Sequence, residues 1–201
     1  MFLTLLFSSS FFFFSSFFDR CSFDQYYNLY GDKGVGGYSF VKEAIDKNSG
    51  RHVIVKFINK AMVKVGQDGL PDEIDILLKV KHTNIVEVKE VFESEDYFIF
   101  IMDKFGRGTD LFDFLQDHEK LSEPEARCIF RQVLSAVVHL ASQNVVHGDI
   151  KDENIIIDQE TQLIKLIDFG SNKRFTDTEE FVDYHGTKHM ACPEVSSISG
   201  S

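Results

Sequence analysis

Cationic residues are scarce in this sequence: 21 Lys and Arg stand against 32 Asp and Glu, a net charge of −11. That balance argues against a nucleic-acid binder built on a broad basic surface, and suits solubility and a basic peptide partner. Cysteine is sparse too. Cys21, Cys128 and Cys192 are widely spaced and odd in number, so neither a disulfide framework nor a metal-ligand spacing can be read, and a reducing compartment, cytoplasmic or nuclear, is expected. No internal repeat is present, and no uninterrupted apolar run long enough for a membrane anchor.

The first eighteen residues come nearest to such a run: Met1 to Phe7, then Phe11 to Phe14, Phe17 and Phe18, broken by serines. A signal peptide or anchor would need a basic leading region and a small-residue cleavage site, and neither is there. A structural role is a second reading. A third fits better: Phe, Ser and Leu codons are pyrimidine-rich, so residues 1–24 read as a low-complexity segment from an error in the gene model and are set aside from the fold. What remains is globular in composition, 43% hydrophobic and 26% charged, with enough chain to bury a core in one or two domains.

From Gln25 to Ile101 the pattern is strand-rich. Val53 to Ile58 is a β-branched run, Tyr97 to Met102 a second, and the glycines from Gly31 to Gly37 leading into Tyr38-Ser39-Phe40-Val41 read as strand, turn, strand. Pro71 to Leu78 has helical spacing, with Ile74, Leu77 and Leu78 on one face. After Phe105 the period becomes helical. Ser122 and Glu125 form a capping box, Pro124 is tolerated in the first turn, and Ala126, Ile129, Phe130, Val133, Leu134, Val137 and Leu140 make the wide apolar stripe of a buried helix.

Several short strings could carry chemistry. Gly34-Val35-Gly36-Gly37-Tyr38-Ser39-Phe40-Val41 suits a loop whose backbone approaches phosphates, or an ordinary hairpin turn. Lys56 is an edge-strand lysine or a phosphate ligand, and Glu73 is a surface charge or its partner. Asp149, Lys151 and Asn154 lie between the apolar Val145-Val146 and Ile155-Ile156-Ile157, and polar residues in such a loop suggest a site. Asp168 closes the run from Leu163 to Ile167 as a turn residue or a metal ligand.

Taken in order, these strings resemble a eukaryotic protein kinase from Tyr26 to Glu194: Gly34-x-Gly36, Val53-x-Val55-Lys56, Glu73, His147-Gly148-Asp149-x-Lys151-x-x-Asn154, Asp168-Phe169-Gly170 and Cys192-Pro193-Glu194. Finer strings, such as Asp110-Leu111-Phe112 and Asp149 to Asn154, are similar to the PAS-domain and Pim kinases, both Ser/Thr kinases of the calmodulin-dependent-kinase-like group. The resemblance implies an α+β, bilobal fold: an antiparallel N-lobe sheet with helix C over 25–102, and an incomplete helical C-lobe over 103–201.

The resemblance also implies roles. Gly34, Gly36 and Ser39 would cover the phosphates of ATP, and Lys56, braced by Glu73, would hold the α- and β-phosphates. Val41, Ile54 and Ile156 would sandwich adenine, with Met102 as gatekeeper, the backbone of Asp103 to Phe105 on the adenine edge, and Asp110 near the ribose. Asp149 would orient the substrate hydroxyl and accept its proton, and Lys151 would steady the γ-phosphate. Asn154 and Asp168 would hold Mg2+, and Thr187 would bond near Asp149 and Lys151. Leu77, Val88, His147 and Phe169 would form a hydrophobic column. The implied substrates are proteins with Ser or Thr beside basic residues, drawn by Asp110, Asp152 and Glu153. A monomer with no nucleic-acid or membrane partner is expected.

Departures modify the expectation. Ile54 replaces the usual alanine above adenine, and Ser39 the third loop glycine. Gly148 replaces the arginine that normally pairs with a phosphorylated activation loop, so phosphate on Thr176 or Thr178 would find no counter-charge there. The sequence stops soon after Pro193-Glu194, where family members continue with further helices. Several hundred Å² of apolar helix surface would then stay uncovered. At about 25 cal/mol per Å² this competes with a domain stability of about 5–15 kcal/mol, so weak stability and weak activity are expected. The alternative function is an inactive kinase-like scaffold that binds nucleotide or partners. A small-molecule kinase fits less well, because Gly186 to Glu194 looks like a peptide-binding loop.

Overall fold

The computed structural model describes residues 18–20, 23–66, 68–118, 120–175, 186, 187 and 190. They fall into two compact units, the first made of the chain up to Pro71 with Val88–Lys104, the second of Asp72–Glu87 with the chain from Phe105 onward. The fold is α+β, and the strand-rich half precedes the helical half as the pattern of periods requires.

The first unit is a six-stranded sheet: β1 (Phe18–Arg20), β2 (Tyr27–Val35), β3 (Ser39–Asp46), β4 (His52–Asn59), β5 (Val88–Glu93) and β6 (Tyr97–Asp103), in the order β1-β5-β6-β4-β3-β2. All pairs are antiparallel except β1 with β5. Side chains alternate across a strand, so one face of the sheet collects Ala44, Val53, Val55, Phe57, Phe92, Ile99 and Ile101 into a buried cluster. A one-turn helix α1 (Phe23–Tyr26) adds Phe23 to it, stacked on Tyr27 at 5.4 Å and edge-on to Phe57 and Phe92 at 5.8 Å. Phe23 falls within the segment that composition alone sets aside. It is buried all the same.

The second unit begins with α2 (Asp72–Lys79), which buries Ile74, Ile76 and Leu77, with Leu78 only half-buried. The chain then runs beside β10 (Ile164–Leu166): Leu166 N–H donates to the Asn84 carbonyl (2.8 Å), and Val86 N–H to that of Leu166 (3.0 Å). This pairing groups α2 with the helical half rather than with the sheet. β7 (Thr109–Asp110), β9 (Ile155–Ile157) and β10 form a three-stranded sheet, and β8 (Val145–Val146) pairs with β11 (Lys173–Arg174). A short α3 (Leu111–Asp117) is capped by Asp110, whose Oδ1 accepts from Asp113 N–H at 2.8 Å.

The long helix α4 (Glu123–Ser142) opens with the predicted capping box: Glu125 Oε2 accepts from Ser122 N–H at 2.8 Å. Gln132 pins it to β10, accepting from Ile164 N–H (3.0 Å) and Asn84 (2.9 Å). The apolar stripe is only partly covered, in line with the expectation that apolar surface of this helix stays exposed. Ile129, Ala136 and Leu140 are buried, Val133 and Val137 half-buried, while Ala126, Phe130, Leu134 and Val138 are exposed.

Candidate active site

In the first unit, cross-strand pairing sorts the candidate residues onto one face. Val41 lies opposite Lys56 on β3 and β4, Ile54 opposite Met102 on β4 and β6, and Lys56 opposite Phe100. Directly opposed residues share a face, and Ile54 and Lys56, two apart on one strand, share it as well. Val41, Ile54, Lys56 and Met102 therefore form one contiguous patch, on the side of the sheet away from the aromatic cluster. Lys56 is buried, its ammonium 5.8 Å from the Phe100 ring centroid. Gly34 pairs with Val41 at the tip of the β2–β3 hairpin, and the turn closes where Gly36 N–H donates to the Ser39 carbonyl at 2.7 Å. Asp103 ends β6, paired to Lys89 at 3.1 Å.

In the second unit, Asp110 and Ile156 are cross-strand partners of β7 and β9. Phe105 lies under the Lys165 ammonium, 5.4 Å from its ring centroid. The turn after Phe105 rests tightly on β9 and the residue following it. A Cβ on Gly108 would come within 2.5 Å of Ile156 Cγ2, and one on Gly106, whose φ is +49°, within 1.8 Å of Asp158 Oδ2. Asp158 packs against this turn, a contact that sequence inspection passes over. Its carboxyl is held below the usual range by Thr161, through amide and hydroxyl, with Arg107 N–H adding to the effect. The alternate glycines around Arg107 are the signal that could have found it.

The loop after β8 carries the candidate chemistry. Buried His147 fixes its start: Asp149 N–H donates to Nδ1 (3.3 Å), so the ring proton sits on Nε2, which donates to the Ile167 carbonyl (2.9 Å). Phe169, fully buried, packs edge-on to this ring at 4.6 Å. Asp149 Oδ1 accepts from Thr187 N–H (2.7 Å), and Oδ2 from Asn154 Nδ2 (3.1 Å) with the Lys151 ammonium at 3.3 Å. Lys151 also donates to the Thr187 hydroxyl at 3.0 Å. Burial pushes the Asp149 carboxyl up, but the Thr187 and Lys151 donors outweigh it and hold the group below the ordinary carboxylate range. Asp149 is thus ionised and oriented at neutral pH.

Gly148 has φ +86°, and a Cβ there would sit 2.1 Å from the Ser171 carbonyl oxygen. The backbone after Asp168-Phe169-Gly170 passes through the space that any side chain's first carbon would fill. Asp168 itself takes a left-handed φ of +58° and is exposed. Asn154 uses its amide nitrogen on Asp149, which leaves its side-chain oxygen over, and Asp168 carries a carboxylate; oxygen donors of this kind would suit a hard cation such as Mg2+.

A protein kinase domain model matches residues 27–200. The chain belongs to the protein kinase family. It is 43% identical over 182 residues to the mouse (Mus musculus) PAS domain-containing serine/threonine-protein kinase, covering 86% of this chain and 13% of that protein. It is 36% identical over 171 residues to human NUAK family SNF1-like kinase 1, covering 84% of this chain and 26% of that one. Mouse Death-associated protein kinase 2 is 33% identical over 180 residues, with 86% and 48% covered. The kinase chain thus spans less than half the length of these relatives. The expected fold class and the likeness to a PAS-domain kinase agree with these matches.

Within the kinase, Glu73 is buried on α2, and Leu77 and Val88 are buried in their own units. Asp75 on the same helix is ion-paired to Arg174 of β11 at 2.5 Å, a link between helix C and the start of the activation segment that no motif announces. Thr176, Thr178 and Cys192-Pro193-Glu194 lie outside the described residues.

Proposed function

We propose that this kinase transfers the γ-phosphate of ATP to Ser or Thr hydroxyls of proteins, with Mg2+ as cofactor. The observation that carries this is the clamp on Asp149: both carboxylate oxygens are bonded, by Thr187, Asn154 and Lys151, and the group stays ionised. Phosphoryl transfer needs positioning and charge neutralisation more than covalent chemistry. The substrate oxygen forms the new bond to phosphorus as the bond to the bridging oxygen of ADP breaks, and Asp149 orients the hydroxyl and receives its proton. Lys151 neutralises charge on the group in flight. Lys56 holds the α- and β-phosphates, and Gly34, Gly36 and Ser39 cover them. On the first unit Val41, Ile54 and Met102 offer adenine an apolar patch, and the backbone of Asp103 to Phe105 reads its edge. Asn154 and Asp168 hold Mg2+, which when bound offsets phosphate charge.

Asp152 and Glu153, beside Lys151 on the catalytic loop, favour basic residues around the target, as does the net charge of −11. The kinase acts as a cytoplasmic or nuclear monomer in this proposal.

The test is Asp149→Asn, assayed with a Ser peptide flanked by arginines. Transfer is expected to fall by about 10²–10⁴-fold while ATP affinity is kept. A wild-type chain that binds ATP and transfers nothing would instead be the nucleotide-binding scaffold.

A further inference from the structure

One buried carboxylate is left without a part in that mechanism. Glu43 sits mid-strand on β3, its side chain 10% exposed, opposite Ile54 and therefore on the same face as Val41, Lys56 and Met102. Three side chains converge on it. Tyr30 donates its hydroxyl to Oε2 at 2.5 Å, Lys33 reaches Oε1 at 3.0 Å, and Lys104 contacts Oε1 and Oε2 at 3.0 and 3.1 Å.

The backbone of β2 is shaped to deliver two of these. Its register with β3 slips twice, between Leu29 and Gly31 and between Asp32 and Gly34. Tyr30 and Lys33 are the two extra residues. A bulge re-aims the residue it inserts, and here both inserted side chains end on the same carboxylate. Gly31, directly opposite Glu43, leaves the space: a Cβ there would already be 3.7 Å from Glu43 Cβ. The third arm comes from the end of β6, two strands from β3. Lys104 is the middle residue of Asp103 to Phe105, and Asp103 is tied in turn to Lys89 at 3.1 Å.

Resting on the kinase reading, we propose that Glu43 is a positioning residue for ATP: it fixes Lys104, and with it the adenine-reading backbone, to the strand that carries the phosphate loop. Two parts of the nucleotide site that lie far apart in sequence are held in register by one anion. The carboxyl is held down to about 2, first by the Tyr30 hydroxyl and against burial, with Lys33 and Lys104 adding to the effect, so the anion persists at any working pH.

The experiment compares the full chain with Glu43→Gln, Lys104→Met, the double variant and Lys104→Arg, by fluorescent mant-ATP titration with Mg2+ and by steady-state kinetics on the arginine-flanked Ser peptide. Lys104→Met leaves Glu43 with Tyr30 and Lys33, so the test survives if Glu43→Gln misfolds. Each single loss is expected to raise Kd and the KM for ATP by about five- to tenfold with kcat little changed. The double variant should be no worse than the singles, since both cut the same contact, and Lys104→Arg should stay near wild type. Unmoved KM values, additive losses, or a fall in kcat alone would overturn the proposal while leaving the kinase reading in place. A wild-type chain that does not bind mant-ATP overturns both.

Discussion

Restoring the usual arginine at position 148 should damage this kinase rather than activate it. The left-handed φ of Gly148 is a conformation that costs a residue with a Cβ about 1–2 kcal/mol. The larger effect is steric. Real Cβ contacts essentially never fall under 3.0 Å, and the added carbon would begin 2.1 Å from the Ser171 oxygen, so that backbone must retreat by about 1 Å. The total is about 2–4 kcal/mol, or a melting temperature lower by about 4–16 °C in a chain this long. Ser171 lies just past Asp168, and a displacement of about 1 Å at a reacting geometry can cost about 10²-fold in rate. Gly148→Ala and Gly148→Arg should therefore both lower the melting temperature and turnover, the alanine variant already carrying most of the loss. Differential scanning fluorimetry and the peptide assay measure the two effects. A Gly148→Ala protein with wild-type melting and turnover would refute the steric argument.

Gly148 supplies no arginine to pair with phosphate on Thr176 or Thr178, so phosphatase treatment should leave turnover within about twofold; a large loss mapped to those threonines would contradict this. Glu43 should make acid stability titratable. Its folded value of about 2 lies below the ordinary 4.5, so the native state binds this proton less readily than the unfolded chain. The stabilisation is complete above pH 4.5 and lost as pH falls toward 2. Acid unfolding of wild type and Glu43→Gln should accordingly converge across that window, and a gap independent of pH would count against it. Ser122→Ala removes the cap of α4 and should cost about 1 kcal/mol, seen as a modest drop in thermal midpoint.

The catalytic loop was legible because its residues are close in sequence and their geometry is local: Asp149, Lys151 and Asn154 are bonded to one another as their spacing suggests. The capping box of α4 was legible for the same reason. β5 was not. Its buried residues, Val88, Val91 and Phe92, have helical spacing, because a register slip at Lys89 breaks the strand alternation. The Glu43 cluster was hidden likewise, since two bulges undo the periodicity that would place Tyr30 and Lys33 on its face. The stripe of α4 was legible as a stripe but not residue by residue: apolar periodicity tells which residues prefer burial, and of these Phe130 and Leu134 are exposed.

The aromatic cluster on one face of the sheet bears on where this domain begins. The family match starts at Tyr27, yet Phe23 lies upstream of it, with its ring among Tyr27, Phe57 and Phe92. A protein trimmed to the motif boundary would keep every catalytic group and lose the lid of a hydrophobic box, leaving three ring faces open to water. The unit that folds is longer than the unit that the motifs delimit.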